Sequence, residues 1–378
     1  MSTRIHLVAG ARPNFMKVAP LWHAFARTPA RFDVALVHTG QHYDDEMADV
    51  FLRQFKLPKP HHALGAGAGT HAEQTGAVMT AYERVCASDR PDWVIVVGDV
   101  NSTMAATLVA KKLVLPVAHL EAGLRSFDRT MPEEINRVVT DALADLLWTP
   151  SPDADENLAR EGVPPAKVER VGNIMIDAYL MLRDEIAAAD WPGKNGLCRD
   201  EFAVATLHRP SNVDERDHLT ALVEVLVRLA DRIPLVLPLH PRTKRRLEEA
   251  RLSDRLAAAK NLHLVPPLGY VEFMSAVSEA RFVLTDSGGV QEETTYLGIP
   301  CLTLRDTTER PVTITQGSNR LVSLHSLEAE VGKVLAGPRR IGQCPPLWDG
   351  ATAGRVVTSL MRRLERSDVM ASAAASSR

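Results

Sequence analysis

Four carboxylates stand out in the first half of the chain. Asp99 follows the apolar run Trp93–Val97 and a glycine, Glu121 follows Val117–Leu120, and Glu133 and Glu134 follow Pro132. Such groups can move a proton on and off a carbon when burial or a like-charged neighbour tunes their pKa. Plainer roles fit most of them. Asp99 could cap a helix beginning near Asn101, and acids are favoured where Glu133 and Glu134 open another helix. Glu121, between an apolar run and Gly123, is harder to explain that way.

A second group of residues suits phosphate. In Thr285-Asp286-Ser287-Gly288-Gly289-Val290-Gln291-Glu292-Glu293 a strand ends, a turn of small residues follows and a helix begins. Free N–H groups at a helix start favour an anion, and glycines allow its close approach. The same residues also describe an ordinary capped helix with a glycine turn. Arg12 and Lys17, just after the first apolar run, could neutralise a diphosphate or be solvated surface cations. His208, before Arg209-Pro210, could bond a phosphate, act as an acid or be a structural histidine.

These residues need strands to hold them. Ile5–Ala9, Val34–His38, Trp93–Val97, Val117–Leu120 and Leu146–Thr149 read as strands of one half. Phe202–Leu207, Leu235–Leu239, Leu262–Val265, Phe282–Thr285 and Cys301–Leu304 repeat the pattern. Apolar strands alternating with helices predict α/β structure, with parallel sheets covered on both faces in two Rossmann-like domains. The expected domains are residues 1–171 and 172–353, with a helix of about 354–378 available to pack back on the first. Residues 190–200 read as a loop and the tail from Met370 as disordered. Nearly all the reactive residues follow strands, where doubly wound sheets bind ligands. Gly65–Thr70 imitates a dinucleotide fingerprint, but Thr70 replaces its last glycine and the preceding residues make a poor strand.

The formal net charge of −3 argues against a general nucleic-acid binder. No stretch is long and apolar enough to span a bilayer or serve as a signal peptide, so no membrane partner is expected. Four scattered cysteines without a Cys-x-x-Cys pair suit a reducing cytoplasm. The thirteen histidines make no zinc-ligand pattern, and no required metal is expected.

Taken in order, several segments resemble the non-hydrolysing UDP-N-acetylglucosamine 2-epimerases. They are Gly10-Ala11-Arg12-Pro13, Gly98-Asp99, Glu121–Arg125, Pro132–Arg137, Gly172-Asn173, His208-Arg209, Asp286–Glu293 and Arg305–Pro311. The resemblance implies a glycosyltransferase-B architecture with the active site in an interdomain cleft, a homodimer and no cofactor. It implies that Arg12, Lys17, His208, Ser287, Gly288, Gly289, Glu293 and Arg310 hold UDP, with Phe273 near the uracil. It also implies that Asp99, Glu121 and Glu133 are the catalytic carboxylates, with His208 able to assist as an acid. Two departures bear on the substrate and its regulation. Pro210 stands where regulated members carry an arginine, so an allosteric UDP-sugar site is not expected. Residues 127–131 differ from the best-known members and are similar to relatives acting on diacetamido uronic acids. A hydrolysing epimerase, a glycosyltransferase on the same architecture and a non-catalytic nucleotide-sugar binder are the alternatives.

Overall fold

The computed structural model describes residues 2–10, 12–40, 52–67 and 69–376, with the backbone alone at residues 12, 13 and 367–376. The chain forms two compact units, Met1–Met181 with Pro346–Arg378, and Leu182–Pro345. The helix Ile174–Met181, expected to open the second domain, therefore belongs to the first unit.

The first unit contains β1 (Thr3–Ala9), β2 (Phe32–His38), β3 (His62–Ala63), β4 (Trp93–Val97), β5 (Val117–Leu120), β6 (Leu146–Thr149) and β7 (Val168–Arg170). They pair in parallel in the order β3-β2-β1-β4-β5-β6-β7. Every residue of β4, β5 and β6 is buried, which is why these strands read as mostly apolar runs, His119 and Thr149 being the buried polar members. The second unit contains β8 (Ala203–Thr206), β9 (Leu235–Pro238), β10 (Leu262–Val265), β11 (Phe282–Thr285), β12 (Cys301–Leu304) and β13 (Asn319–Val322). These are also parallel, in the order β10-β9-β8-β11-β12-β13.

Three strands escaped the sequence reading for one reason. β3, β7 and β13 lie at sheet edges, where a short or polar strand need not be apolar on both faces. The topology also fixes where chemistry collects. Strand order reverses between β1 and β4 in one sheet and between β8 and β11 in the other. The carboxyl ends beside such a switch form a ligand crevice. Lys17 follows β1, Asp99 follows β4, Glu121 follows β5, His208 follows β8 and Ser287 follows β11.

Two local expectations change. Residues 190–200 include a short helix, Trp191–Lys194, capped by Asp190. The C-terminal helix runs Thr352–Ser376, so the tail expected to be disordered from Met370 is helical through Ser376. Its run of alanines, the strongest helix formers, accounts for the extension. Asp177 accepts the N–H groups of Thr352 (3.2 Å) and Ala353 (2.8 Å), and the Trp148 indole donates to Ser359 Oγ (2.9 Å), fixing this helix to the first unit. Thr70, at the end of the glycine-rich segment, forms a capping box with Glu73 on the helix His71–Ser88. No helix among the described residues is long and apolar enough to cross a membrane.

A half-buried charge cluster around the buried His6 makes the first unit sensitive to acid. Arg4 grips both oxygens of Asp89, at 3.0 and 2.5 Å, and His62 Nε2 lies 2.8 Å from Asp89 Oδ2. His6 is fully buried beside them, with Nδ1 3.2 Å from the Tyr82 hydroxyl. Burial pulls the His6 imidazole down from 6.5 to about 4 despite Asp89. The unfolded chain therefore binds this proton more readily, and stability is lost as pH falls from 6.5 through about 4. Denaturant titrations of wild type and His6→Asn between pH 4 and 7 should show a wild-type decline of about 3 kcal/mol that the variant lacks. Parallel curves for the two proteins would remove His6 from the acid response.

Candidate functional site

Glu121 occupies an unusual place in the first unit. It is buried, and its backbone takes the left-handed conformation at φ 72°, rare for a residue with a side chain. The N–H groups of Glu121 and Ala122 both donate to the Trp148 carbonyl at 3.1 Å, which holds the chain in that turn. Lys17, on the helix Arg12–Ala26, is also buried and forms a hydrogen-bonded ion pair with Glu121 Oε2. Glu121 Oε1 meets no hydrogen-bond partner among the described residues. Gly98 makes the pairing sterically feasible: a Cβ there would lie 2.9 Å from Lys17 Nζ and 3.5 Å from Glu121 Oε2.

Asp99 is held from another direction. Arg137 Nε and Nη2 donate to its Oδ2 at 3.0 and 2.7 Å, and Asn136 Nδ2 donates to its carbonyl at 2.9 Å. The helix Asn101–Lys112 begins instead at Val100, without a side-chain cap. Arg137 Nη1 reaches Glu134 Oε2 at 2.6 Å. Glu134 accepts the N–H groups of Ser126 and Phe127, both at 2.9 Å, and so fixes the loop after Arg125. The helix Pro132–Leu143 is thus inverted: Glu134, Asn136, Arg137, Thr140 and Asp141 are buried while Ile135 is exposed.

Below the turns, His119 and Asp141 are fully buried. His119 lies 2.6 Å from Asp141 Oδ1 through Nδ1 and 2.8 Å from the Gly98 carbonyl through Nε2. Asp141 Oδ2 accepts the Gly123 N–H at 3.0 Å and pairs with Arg125 at 2.7 Å. Burial pushes the Asp141 carboxyl up, but His119, Arg125 and the Gly123 N–H outweigh it and hold the group below its usual value.

In the second unit, one carboxylate organises the turn after β8. Asp286 is fully buried, and its Oδ2 accepts the N–H groups of His208 (2.9 Å) and Arg209 (2.8 Å) and the Asn212 amide (3.1 Å). Its Oδ1 lies 2.9 Å from His208 Nδ1. Burial would raise the Asp286 pKa, yet these donors leave it lowered. An ionised Asp286 facing Nδ1 favours the imidazole proton on that nitrogen, and the His208 side chain stays 38% exposed.

The helix Gly288–Leu297 starts at Ser287 with no side-chain cap, leaving first-turn N–H groups for an anion. At Gly289 a Cβ would meet nothing within 4 Å, whereas at Gly288 it would lie 2.6 Å from both Arg310 Nη1 and Glu309 Oε1. Arg310 is buried against that glycine, paired with Glu292 at 2.9 Å and Glu309 at 2.5 Å. Glu293 is buried one turn further along and accepts the Tyr270 hydroxyl at 2.8 Å. Phe273 lies half-buried on the same helix as Tyr270, Tyr270–Glu279.

The structure therefore brings Lys17 to Glu121, Asp99 to Arg137, and His208 to Asp286 within their respective units. Ser287, Gly288, Glu293 and Arg310 gather at one helix start. Glu133 stands apart, exposed on the first turn of its helix, while Glu134 takes the buried position. The Arg12 side chain lies outside the described residues. Glu134, Arg137, Asp141 and His119 were missed as positioning groups. A signal existed: Glu134, Arg137 and Asp141 recur at helical spacing, the stripe expected of a core-facing side, but polar.

Glu293 yields a pH test. Burial, reinforced by Glu292 and only partly offset by Tyr270, raises its carboxyl from 4.5 to about 8. The folded protein holds this proton more tightly than the unfolded chain, so stability declines as pH rises from 4.5 through about 8. Glu293→Gln, which imitates the protonated form, should remove a decline of order 5 kcal/mol when unfolding is followed from pH 5 to 9. An unchanged slope would mean that Glu293 is already ionised at neutral pH.

Residues 23–361 match the family model described as UDP-N-acetylglucosamine 2-epimerase. A UDP-N-acetylglucosamine 2-epimerase of Methanocaldococcus jannaschii is 42% identical over 84% of this chain and 88% of its own. The UDP-2,3-diacetamido-2,3-dideoxy-D-glucuronate 2-epimerase of Pseudomonas aeruginosa is 39% identical over 88% of this chain and 93% of its own. A crystal structure of the M. jannaschii UDP-GlcNAc 2-epimerase in complex with UDP-GlcNAc and UDP superposes with a TM-score of 0.87 at 39% identity, covering 95% of this chain and 99% of that one. Two Rossmann-like units, a buried carboxylate set and an open helix start agree with that kinship, and the chain belongs to the UDP-N-acetylglucosamine 2-epimerase family of isomerases.

Proposed function

We propose that the protein interconverts UDP-N-acetylglucosamine and UDP-N-acetylmannosamine without hydrolysis. The observation that carries this reading is Glu121, a buried carboxylate with one oxygen bound by Lys17 and the other without a hydrogen-bond partner among the described residues, in the unit that also holds Asp99. A base takes the C-2 proton, the C–H electron pair forms the C-1=C-2 double bond, and UDP leaves with the electrons of the C-1–O bond. Reversal of these steps, with protonation on the opposite face, inverts C-2. The sequence is redox-neutral, so it calls for no nicotinamide.

Asp99 and Glu121 are assigned to proton transfer at C-2 and Glu133 to their support, with His208 able to assist as an acid. Arg12, Lys17, His208, Ser287, Gly288, Gly289, Glu293 and Arg310 are assigned to UDP, and Phe273 to the uracil. Free N–H groups and cations stabilise the charge that builds on the leaving diphosphate. A homodimer working in the cytoplasm, with the UDP-sugar as its small-molecule partner, belongs to the same reading.

A second substrate is favoured by two observations, the P. aeruginosa relative and the exposed Arg129 in the loop fixed by Glu134. A uronate differs from UDP-N-acetylglucosamine in offering a carboxylate that an arginine can bind.

Proton NMR with UDP-N-acetylglucosamine in deuterated water, without added metal or acceptor, tests the main reading. Deuterium at C-2 of a UDP-linked manno product is expected. Free sugar and UDP would indicate the hydrolysing chemistry, and exchange seen only with the diacetamido uronate would select the second substrate. Asp99→Asn and Glu121→Gln should abolish exchange while leaving UDP affinity within about tenfold. Loss of UDP binding instead would make that carboxylate structural.

A further inference from the structure

We propose that His119, doubly protonated and held by Asp141, is a positioning residue that clamps the turn carrying Asp99 to the turn carrying Glu121. The proposal rests on the assignment of those two carboxylates to proton transfer.

The hydrogen bonds fix how many protons the pair holds, and the donors around Asp141 keep that carboxyl ionised. The Gly98 carbonyl can only accept, so His119 Nε2, 2.8 Å away, must carry a hydrogen. Asp141 Oδ2 already faces two donors, the Gly123 N–H and the Arg125 guanidinium. Its Oδ1 faces His119 Nδ1 at 2.6 Å, a short contact typical of a charge-assisted bond. An ionised Asp141 satisfies all three donors only if Nδ1 is also protonated. The charges then balance, with buried His119 and Arg125 positive, buried Asp141 negative and the exposed Glu161 negative at the edge of the cluster; Arg125 bonds Glu161 through two nitrogens, both at 2.7 Å.

The same bonds reach both carboxylates. His119 orients the Gly98 carbonyl immediately before Asp99. Asp141 holds the Gly123 N–H two residues after Glu121. Gly98 (φ 67°) and Gly123 (φ 80°) take left-handed backbone freely, but Glu121 (φ 72°) keeps it only where surrounding contacts over-determine it. His119 bonds directly to the first turn and, through Asp141, to the second.

The first test uses the wild-type protein. Nitrogen-15 NMR of histidine-labelled enzyme should find both His119 ring nitrogens protonated at neutral pH; a neutral ring overturns the proposal whether or not any variant folds. Two variants then cut the links separately. His119→Asn keeps a donor near the Nδ1 position, toward Asp141, and His119→Gln keeps one near the Nε2 position, toward Gly98. Each should lower kcat for C-2 exchange about 10–100-fold, as displacement of a reacting group does, while KM and UDP affinity stay within about twofold. Wild-type kcat in either variant overturns the clamp, and a loss of UDP affinity matching the loss of kcat reduces His119 to a structural role. Failure of the wild-type enzyme to exchange C-2 would overturn the epimerase reading, while the NMR result would still report the state of His119.

Discussion

A carboxylate buried in protein stays ionised only if a cation or several hydrogen-bond donors reach it, and the pairing of Lys17 with Glu121 is the interaction around which the first unit's site is arranged. Several local choices follow from it. Residue 98 must lack a side chain, because a Cβ would occupy the approach of the ammonium group. The helix after β1 must place Lys17 one turn inside its start, where Asn14 also bridges from the Gly10 N–H (3.1 Å) to the Val97 carbonyl (3.1 Å). Glu121 must leave β5 in a left-handed turn so that its side chain meets the lysine. A single pairing therefore couples the ends of β1, β4 and β5, the strands beside the topological switch.

The second unit solves a different problem with related means. Asp286 is also buried, but its partners are mostly uncharged donors: two backbone N–H groups, an amide and an imidazole. Such a carboxylate organises a turn while leaving the exposed face of His208 available. Glu293, with one hydroxyl partner and an acidic neighbour, lies on the opposite side of its ordinary titration. The number and charge of the donors, more than burial itself, separate these two acids. Asp286 keeps its charge, whereas Glu293 keeps its proton.

Much of this was legible from residue order. Asp99 and Glu121 announced themselves as charged residues closing apolar runs, and two glycines at the start of the helix Gly288–Leu297 marked a place for close approach. Sequence distance concealed the partners. Lys17 and Glu121 are 104 residues apart, and His208 and Asp286 are 78 apart, so neither pairing has a local signature. The polar side of Pro132–Leu143 was hidden differently. Amphipathic reading assumes that the apolar stripe faces inward, and here Glu134, Arg137 and Asp141 take that place while Ile135 faces out. The edge strands β3, β7 and β13 were hidden because apolar content marks burial rather than backbone pairing.

Placing the paired carboxylates and the open helix start in different units has a chemical logic on the proposed reading. Taking the C-2 proton requires an ionised carboxylate, while losing UDP from C-1 concentrates negative charge on a diphosphate. Set side by side, these groups would oppose each other: the phosphate charge would raise the carboxylate's pKa, and the carboxylate would weaken phosphate binding. Here the paired carboxylates Asp99 and Glu121 belong to the unit built on β1–β7, whereas the uncapped helix start with Arg310 belongs to the unit built on β8–β13. Lys17 is a cation built into the acid side, paired with Glu121 inside the first unit. Neutralising Lys17 would thus affect the base before it affected the diphosphate, although position in the sequence had associated it with the diphosphate.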